Sequence, residues 1–183
     1  MRGVWLLVVA LLVSAGLGRA EGQVVLKAAA GPTLIDTGYN VSAAVGFLPA
    51  SRLTLLAGFE RTHLSSRTEY VQTPSGPRIS SGFRGGTMTG ASGALRVSLF
   101  PAGRPTPYVI AGGGIGQSRP TVNEIYRDPR TNDVRFLMAG AGLDIPVGER
   151  VSVFGDARIL FGSEGNEGLL GVVPVRAGLS WRF

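Results

Sequence analysis

Apolar residues return at every second position through six stretches of this chain. In Gly38 to Phe47, Tyr39, Val41, Ala43, Val45 and Phe47 alternate with Gly38, Asn40, Ser42, Ala44 and Gly46. Arg52 to Phe59 sets Leu53, Leu55, Ala57 and Phe59 against Arg52, Thr54, Leu56 and Gly58. Ala91, Gly93, Leu95, Val97 and Leu99 oppose Ser92, Ala94, Arg96 and Ser98. Leu137, Ala139, Ala141, Leu143 and Ile145 oppose Met138, Gly140, Gly142 and Asp144. Val151, Val153, Ala157, Ile159 and Phe161 oppose Ser152, Phe154, Asp156, Arg158 and Leu160. The last stretch runs Val173, Val175, Ala177, Leu179, Trp181, Phe183 against Pro174, Arg176, Gly178, Ser180, Arg182. Successive side chains of a strand point to opposite faces, so each stretch predicts a strand with one apolar and one small or polar face. Gln23 to Gly31, with Lys27 as its one charge, adds a first strand. Tyr108 to Gln117 adds a fifth, whose glycines leave its faces unassigned. The sum is eight.

The predicted connections alternate in kind. Leu48–Ser51, Pro101–Thr106 and Pro146–Glu149 are short and contain proline, whereas Ser66–Gly85, Ser118–Asn132 and Gly162–Gly168 are longer and polar. The remaining one, Pro32–Thr37, emerges at the long-loop end. Short turns at one end, long loops at the other and an even strand count are the pattern of outer-membrane barrels. The polar face is too poor in charge for a solvated surface. Glycines recur on it, and its charges are Glu60, Arg96, Asp144, Asp156, Arg158, Arg176 and Arg182. The expected fold is therefore an all-β, eight-stranded antiparallel up-and-down transmembrane barrel. Its apolar face meets lipid and its polar face fills a narrow lumen. Tyr39, Phe47, Phe59, Phe161, Trp181 and Phe183 lie near strand ends, where bilayer interfaces favour aromatics. In lipid only closure satisfies the edge N–H and C=O groups.

The first twenty residues read differently. Met1-Arg2 gives a positive start, Val4 to Leu17 is almost unbrokenly apolar, and Gly18 and Ala20 are small. That is the layout of a secretory signal peptide, with cleavage expected between Ala20 and Glu21. Residues 21–183 then form a single barrel domain. The chain has no cysteine, so no disulfide holds the exported domain. Its net charge of +6 includes Arg2 and Arg19, which leave with the leader. All basic residues except Lys27 are arginine, and they are scattered. Nucleic-acid binding needs a basic face or stripe and is excluded. Scattered arginines suit outer-membrane lipids and lipopolysaccharide-type headgroups as partners.

The ending Gly178-Leu179-Ser180-Trp181-Arg182-Phe183 resembles the last strand of outer-membrane barrels. With Pro107 to Gly114 and the Asp156-Ala157-Arg158 strand, it resembles the outer-membrane protein A-like β-barrel domain family over about Gly22 to Phe183. That resemblance implies localisation in the cell outer membrane and recognition of Trp181 and Phe183 by the barrel-assembly machinery. Larger relatives add a periplasmic peptidoglycan-binding domain; the pattern here ends with the barrel, so that role is not carried over. Pro174 departs from a good strand, since it removes a ladder donor, and is expected at the outer rim or at a bulge.

No catalytic, cofactor or metal set stands out. His63 and Ser65, with Glu69 near, match the residue types of outer-membrane lipid A deacylases, in which His activates Ser. Three residues make a weak motif, and a polar strand end explains them as well. Gly112 to Gly116 lacks the following helix that a phosphate loop needs. Asn123, Glu124, Asp128 and Asp133 fit no calcium spacing. The lumen charges are the stronger constellation. Asp156 and Arg158 share a face about 7 Å apart, Arg176 is expected beside them, and Glu60 is expected to approach Arg96. Buried charges must pair, because each ion left alone costs several kcal/mol. These considerations favour a structural or interaction barrel, not an enzyme, with a salt-bridged, closed lumen and an unidentified extracellular ligand. The alternatives are a narrow diffusion channel, a lipid A-modifying enzyme using His63 and Ser65, and a soluble lipocalin-like carrier.

Overall fold

A computed structural model of the chain describes residues 23–34, 37–50, 52–65, 69–73, 76–80, 85–100, 104–120, 131–164 and 169–183. The leader expected at residues 1–20 lies outside them, as do Asn123, Glu124 and Asp128. The described residues form eleven strands: β1 (Gln23–Thr33), β2 (Gly38–Ala50), β3 (Leu53–Leu64), β4 (Glu69–Thr73), β5 (Gly76–Ser80), β6 (Gly86–Ser98), β7 (Thr106–Pro120), β8 (Asn132–Pro146), β9 (Val151–Glu164), β10 (Leu169–Val172) and β11 (Val175–Arg182). No helix occurs among the described residues.

Each long strand pairs antiparallel with its sequence neighbour, β1 to β2 to β3 to β6 to β7 to β8 to β9. β10 and β11 both lie on β9 and together form one stave. β11 then pairs with β1, from Val25 opposite Arg182 to Ala30 opposite Ala177, and the ring closes. The result is a closed, eight-stave antiparallel up-and-down barrel. Closure pairs each of the eight staves on both sides, the last of them through β11, which is what a hydrocarbon surround demands.

Several boundaries differ from the sequence reading, each for a local reason. β2 continues through Pro49 to Ala50 instead of turning at Leu48, because the ladder shifts register between Phe47 and Ala50. A bulge tolerates a residue that has no N–H to give. β4 and β5 form a two-stranded hairpin inside the stretch read as a plain loop. Pro174 marks the break between β10 and β11, where it makes only an isolated bridge to Thr33. The carbonyls on either side stay in use: Leu34 N donates to Val173 O at 2.9 Å and Arg158 N to Pro174 O at 3.1 Å.

Burial follows the two-residue period. Outward side chains such as Val45, Leu55, Leu95, Leu137, Ile159 and Leu179 are exposed, although they are large and apolar. The charged residues Lys27, Glu60, Arg96, Asp144, Asp156, Arg158 and Arg176 are buried inside. This inverts a water-soluble barrel. Leu95 is 42% exposed and its neighbour Arg96 is 6% exposed, which shows the inversion at a single peptide bond. Water alone would punish both placements; hydrocarbon outside rewards both.

Glycines on the inner face make room for rings. Tyr108 is opposite Gly142, Phe136 opposite Gly114, and Phe154 opposite Gly178 on the adjoining staves. A Cβ built on any of these three glycines would meet that ring within 3 Å. The small residues read from the sequence as a lining for a narrow lumen are therefore platforms on which inward aromatics lie.

Candidate functional site

Among the described residues, chemistry-bearing side chains converge in the lumen, which has two zones. Toward the end with the long connections, Leu64, Met88, Val134, Phe136, Met138, Leu160 and Val172 form an apolar cluster, each at most 5% exposed. These come from β3, β6, β8, β9 and β10, so the cluster spans the bore. Sequence periodicity placed Met138 and Leu160 on the inner face but gave no hint of a plug. Leu64, Met88, Val134, Phe136 and Val172 lie between the predicted strands and the predicted connections, in stretches assigned to neither.

The polar zone fills the remainder. Asp156 on β9 is its hub. Arg176 on β11, paired directly with it, donates from Nε to Oδ1 at 2.9 Å and from Nη2 to Oδ2 at 3.1 Å. Arg158, two residues along the same face of β9, donates to Oδ2 from Nε at 3.2 Å and Nη2 at 3.0 Å. The Tyr108 hydroxyl donates to the same oxygen at 3.1 Å. Glu60 on β3 takes Arg158 Nη1 at 3.4 Å and lies 4.0 Å from Arg176 Nη1. Arg176 also reaches Ser42 Oγ at 2.8 Å and Asn40 Oδ1 at 3.4 Å. Asn40 in turn donates to Thr62 Oγ1 at 2.7 Å. Five staves are tied by one network.

The sequence reading needs one correction here. Arg96 does not meet Glu60; its carboxylate partner is Asp144 on β8. Glu60 faces the β9 and β11 arginines instead. Arg96 and Glu60 lie on adjacent strands, but Glu60 pairs with Gly90 and Arg96 with Thr54, six positions away along the ladder. The network also contains two residues that the sequence did not put in this set. Lys27 is buried, with Nζ 3.9 Å from the Phe154 ring centre and 5.4 Å from that of Tyr108. Tyr108 lies under the Arg96 guanidinium, 3.9 Å from Cζ to ring centre. A desolvated cation over an aromatic face gains about 2 kcal/mol. By stacking under Arg96 and donating to Asp156, Tyr108 joins the Arg96–Asp144 pair to the larger network. Its role was hidden because the glycine run of the fifth strand blurred which face it occupied.

Among the described lumen residues the cavities are small. A cavity of about 30 Å³ lies among Lys27, Ser42, Glu60, Ser92, Arg158 and Arg176. Another of about 40 Å³ lies at the short-turn mouth, lined by Arg96, Arg104, Asp144 and Arg182 among others. Each has room for only a few water molecules. His63 points outward on β3, its Nδ1 3.2 Å from Thr87 Oγ1 and its ring 5.2 Å from that of Tyr39. Ser65 N donates to Thr37 O, and the Glu69 side chain lies outside the described residues. At the C-terminus, Trp181 and Phe183 stack outward with ring centres 6.3 Å apart, and Phe183 N donates to Val24 O at 2.9 Å.

An inverted, closed barrel of eight staves with a filled bore belongs to the outer-membrane class of folds, and solved structures agree. The N-terminal β-barrel domain of Pseudomonas aeruginosa OprF superposes with a TM-score of 0.62 at 15% identity, covering 88% of this chain and 97% of that one. Neisserial surface protein A gives 0.59 at 12% identity, covering 88% and 96%. A major outer membrane protein from Thermus thermophilus gives 0.56 at 14% identity, covering 89% and 100%. No protein-family model matches the chain, and no curated protein does. The shared property is the fold, an eight-stranded outer-membrane barrel like that of the outer-membrane protein A-like domains.

Proposed function

We propose that this protein is a structural or interaction barrel of the cell outer membrane, with a closed lumen and with its contacts made by the long connections. One observation carries the reading. A bore filled by an apolar cluster and a salt-bridged network lies inside a surface of exposed Leu, Val, Ile and Phe. Eight staves enclose only enough width for side chains, and here side chains occupy it. A carrier would need a cavity of roughly 300 Å³ or more for a small ligand, and a steady channel needs a continuous wet path. The interior cavities among the described residues, about 30 and 40 Å³, support neither.

Two measurements test this. On cell fractionation, the protein should sediment with outer membranes and migrate faster on a gel before boiling than after. Recovery in the soluble periplasmic fraction would contradict it. In planar bilayers, purified protein should give no steady single-channel conductance; persistent, voltage-independent openings would favour the narrow channel.

The stacked Trp181 and Phe183 support delivery by the barrel-assembly machinery, since the last stave offers it an apolar aromatic end. Deleting Phe183 should cut the outer-membrane yield several-fold and leave protein aggregated or periplasmic. Unchanged yield and heat-modifiability would remove that role from Phe183. The lumen network is assigned to stability, not catalysis. His63 is held by Thr87 and Tyr39 on the outer face, which supports a polar strand end instead of a general base.

A further inference from the structure

The outward face differs on the two sides of the barrel. On β1 and β2 it stays apolar toward the long connections, through exposed Leu34, Val41 and Tyr39. On β3, β6, β7 and β8 the apolar run stops at Phe59, Ala91, Ile115 and Leu137. Beyond it, outward positions are polar on all four staves: Arg61 and His63, Thr89 and Thr87, Gln117 and Arg119, Arg135 and Asp133. Register makes these one patch. Arg61, Thr89, Gln117 and Asp133 form a row across the four staves, His63, Thr87 and Arg119 form the next, and Arg135 pairs with Ile115. With about 4.8 Å between staves the patch is about 15 Å wide.

Its charge is three arginines against one carboxylate. Arg61, Arg119 and Arg135 are exposed, and none takes part in an ion pair among the described residues. Guanidinium forks match phosphate oxygens bidentately. Thr87, Thr89 and Gln117 add neutral donors and acceptors suited to sugar hydroxyls. The patch directly adjoins Phe59, Ile115 and Leu137, which are 52%, 54% and 71% exposed. An occupant must therefore offer phosphates above and acyl chains below.

Building on the membrane-barrel reading, we infer that Arg61, Arg119 and Arg135 form a lateral binding site for a phosphorylated glycolipid of the lipopolysaccharide type. It seats the phosphates of one lipid on the β3–β8 side, in the leaflet toward the long connections. Among the described residues, β1 and β2 carry no outward arginine and so no such seat.

The test uses the full mature barrel in detergent, compared with an Arg61→Gln, Arg119→Gln, Arg135→Gln variant. Native mass spectrometry follows titration with purified lipid A, dephosphorylated lipid A and phosphatidylglycerol. Lipid A should bind the triple variant about tenfold or more weakly than the parent. The parent should hold dephosphorylated lipid A and phosphatidylglycerol as weakly as the variant holds lipid A. Raising the salt should release lipid A from the parent, a measurement that needs no variant. Equal lipid A affinity in parent and variant would overturn the site; so would salt-insensitive binding. Phosphatidylglycerol binding as tightly as lipid A would overturn the glycolipid assignment. Heat-modifiability of the parent reports the barrel separately: if that is absent, the membrane reading fails, and the lipid assignment fails with it.

Discussion

Replacing Asp156 with Ala is expected to destabilise the barrel by about 3–5 kcal/mol, the usual cost of leaving buried charges without their partner. The carboxylate takes five hydrogen bonds from three side chains, two each from Arg158 and Arg176 and one from Tyr108. Its loss strands two guanidiniums on Glu60, which is already 3.4 Å from one and 4.0 Å from the other. The buried Tyr108 hydroxyl loses its acceptor as well. Changing Arg176 to Met together with Asp156 to Ala should recover part of the loss, because one orphaned cation goes with the anion. Urea unfolding of protein refolded in lipid vesicles measures both, with outward-facing Trp181 as the fluorescent reporter. A loss under 1 kcal/mol for Asp156→Ala would mean that the network does not hold the staves together.

The parts of this network differ in how legible they were. Asp156, Arg158 and Arg176 were placed together from sequence because two are i and i+2 on one strand and the third is on the neighbouring strand. The stave order and the inward or outward sense of each alternating stretch were legible for the same reason: in a strand, parity along the sequence is direction in space. The Arg96–Asp144 pair was missed because it is not a ladder pair. Arg96 is on β6 and Asp144 on β8, with β7 between them. Contacts across a bore depend on how far each stave is sheared against the next, and no local pattern encodes that. Tyr108 was missed for want of a legible face, and Lys27, read as the one charge of the first strand, was given no partner. Both become visible once Gly142 and Gly178 are recognised as seats for Tyr108 and Phe154, the two rings that Lys27 contacts. The apolar cluster was missed because Leu64, Met88 and Val134 lie at or beyond the predicted strand ends, where polar loop composition dominates any short window.

Placing Arg at Leu95 is the second large effect. Leu95 lies in the outward row Leu55–Leu95–Ala111, within an apolar belt that runs from Leu99 to Ala91 on its own stave. A guanidinium there enters hydrocarbon near the middle of the bilayer, at a cost of about 2–4 kcal/mol. In vesicles, the variant should unfold at lower urea than the parent, and its folding yield should fall. Arg96→Ala is also expected to lose a few kcal/mol, since it strands Asp144 in the lumen. Stability alone thus cannot tell the two faces apart.

Accessibility can. The chain has no cysteine, so single cysteines at positions 95 and 96 report without background. Each is labelled with a small fluorophore and the barrel refolded into vesicles whose acyl chains carry a quencher. The inverted barrel predicts strong quenching at position 95 and none at position 96. Quenching at position 96 with position 95 silent would mean that the apolar face is the interior, and the protein would then be a water-soluble barrel.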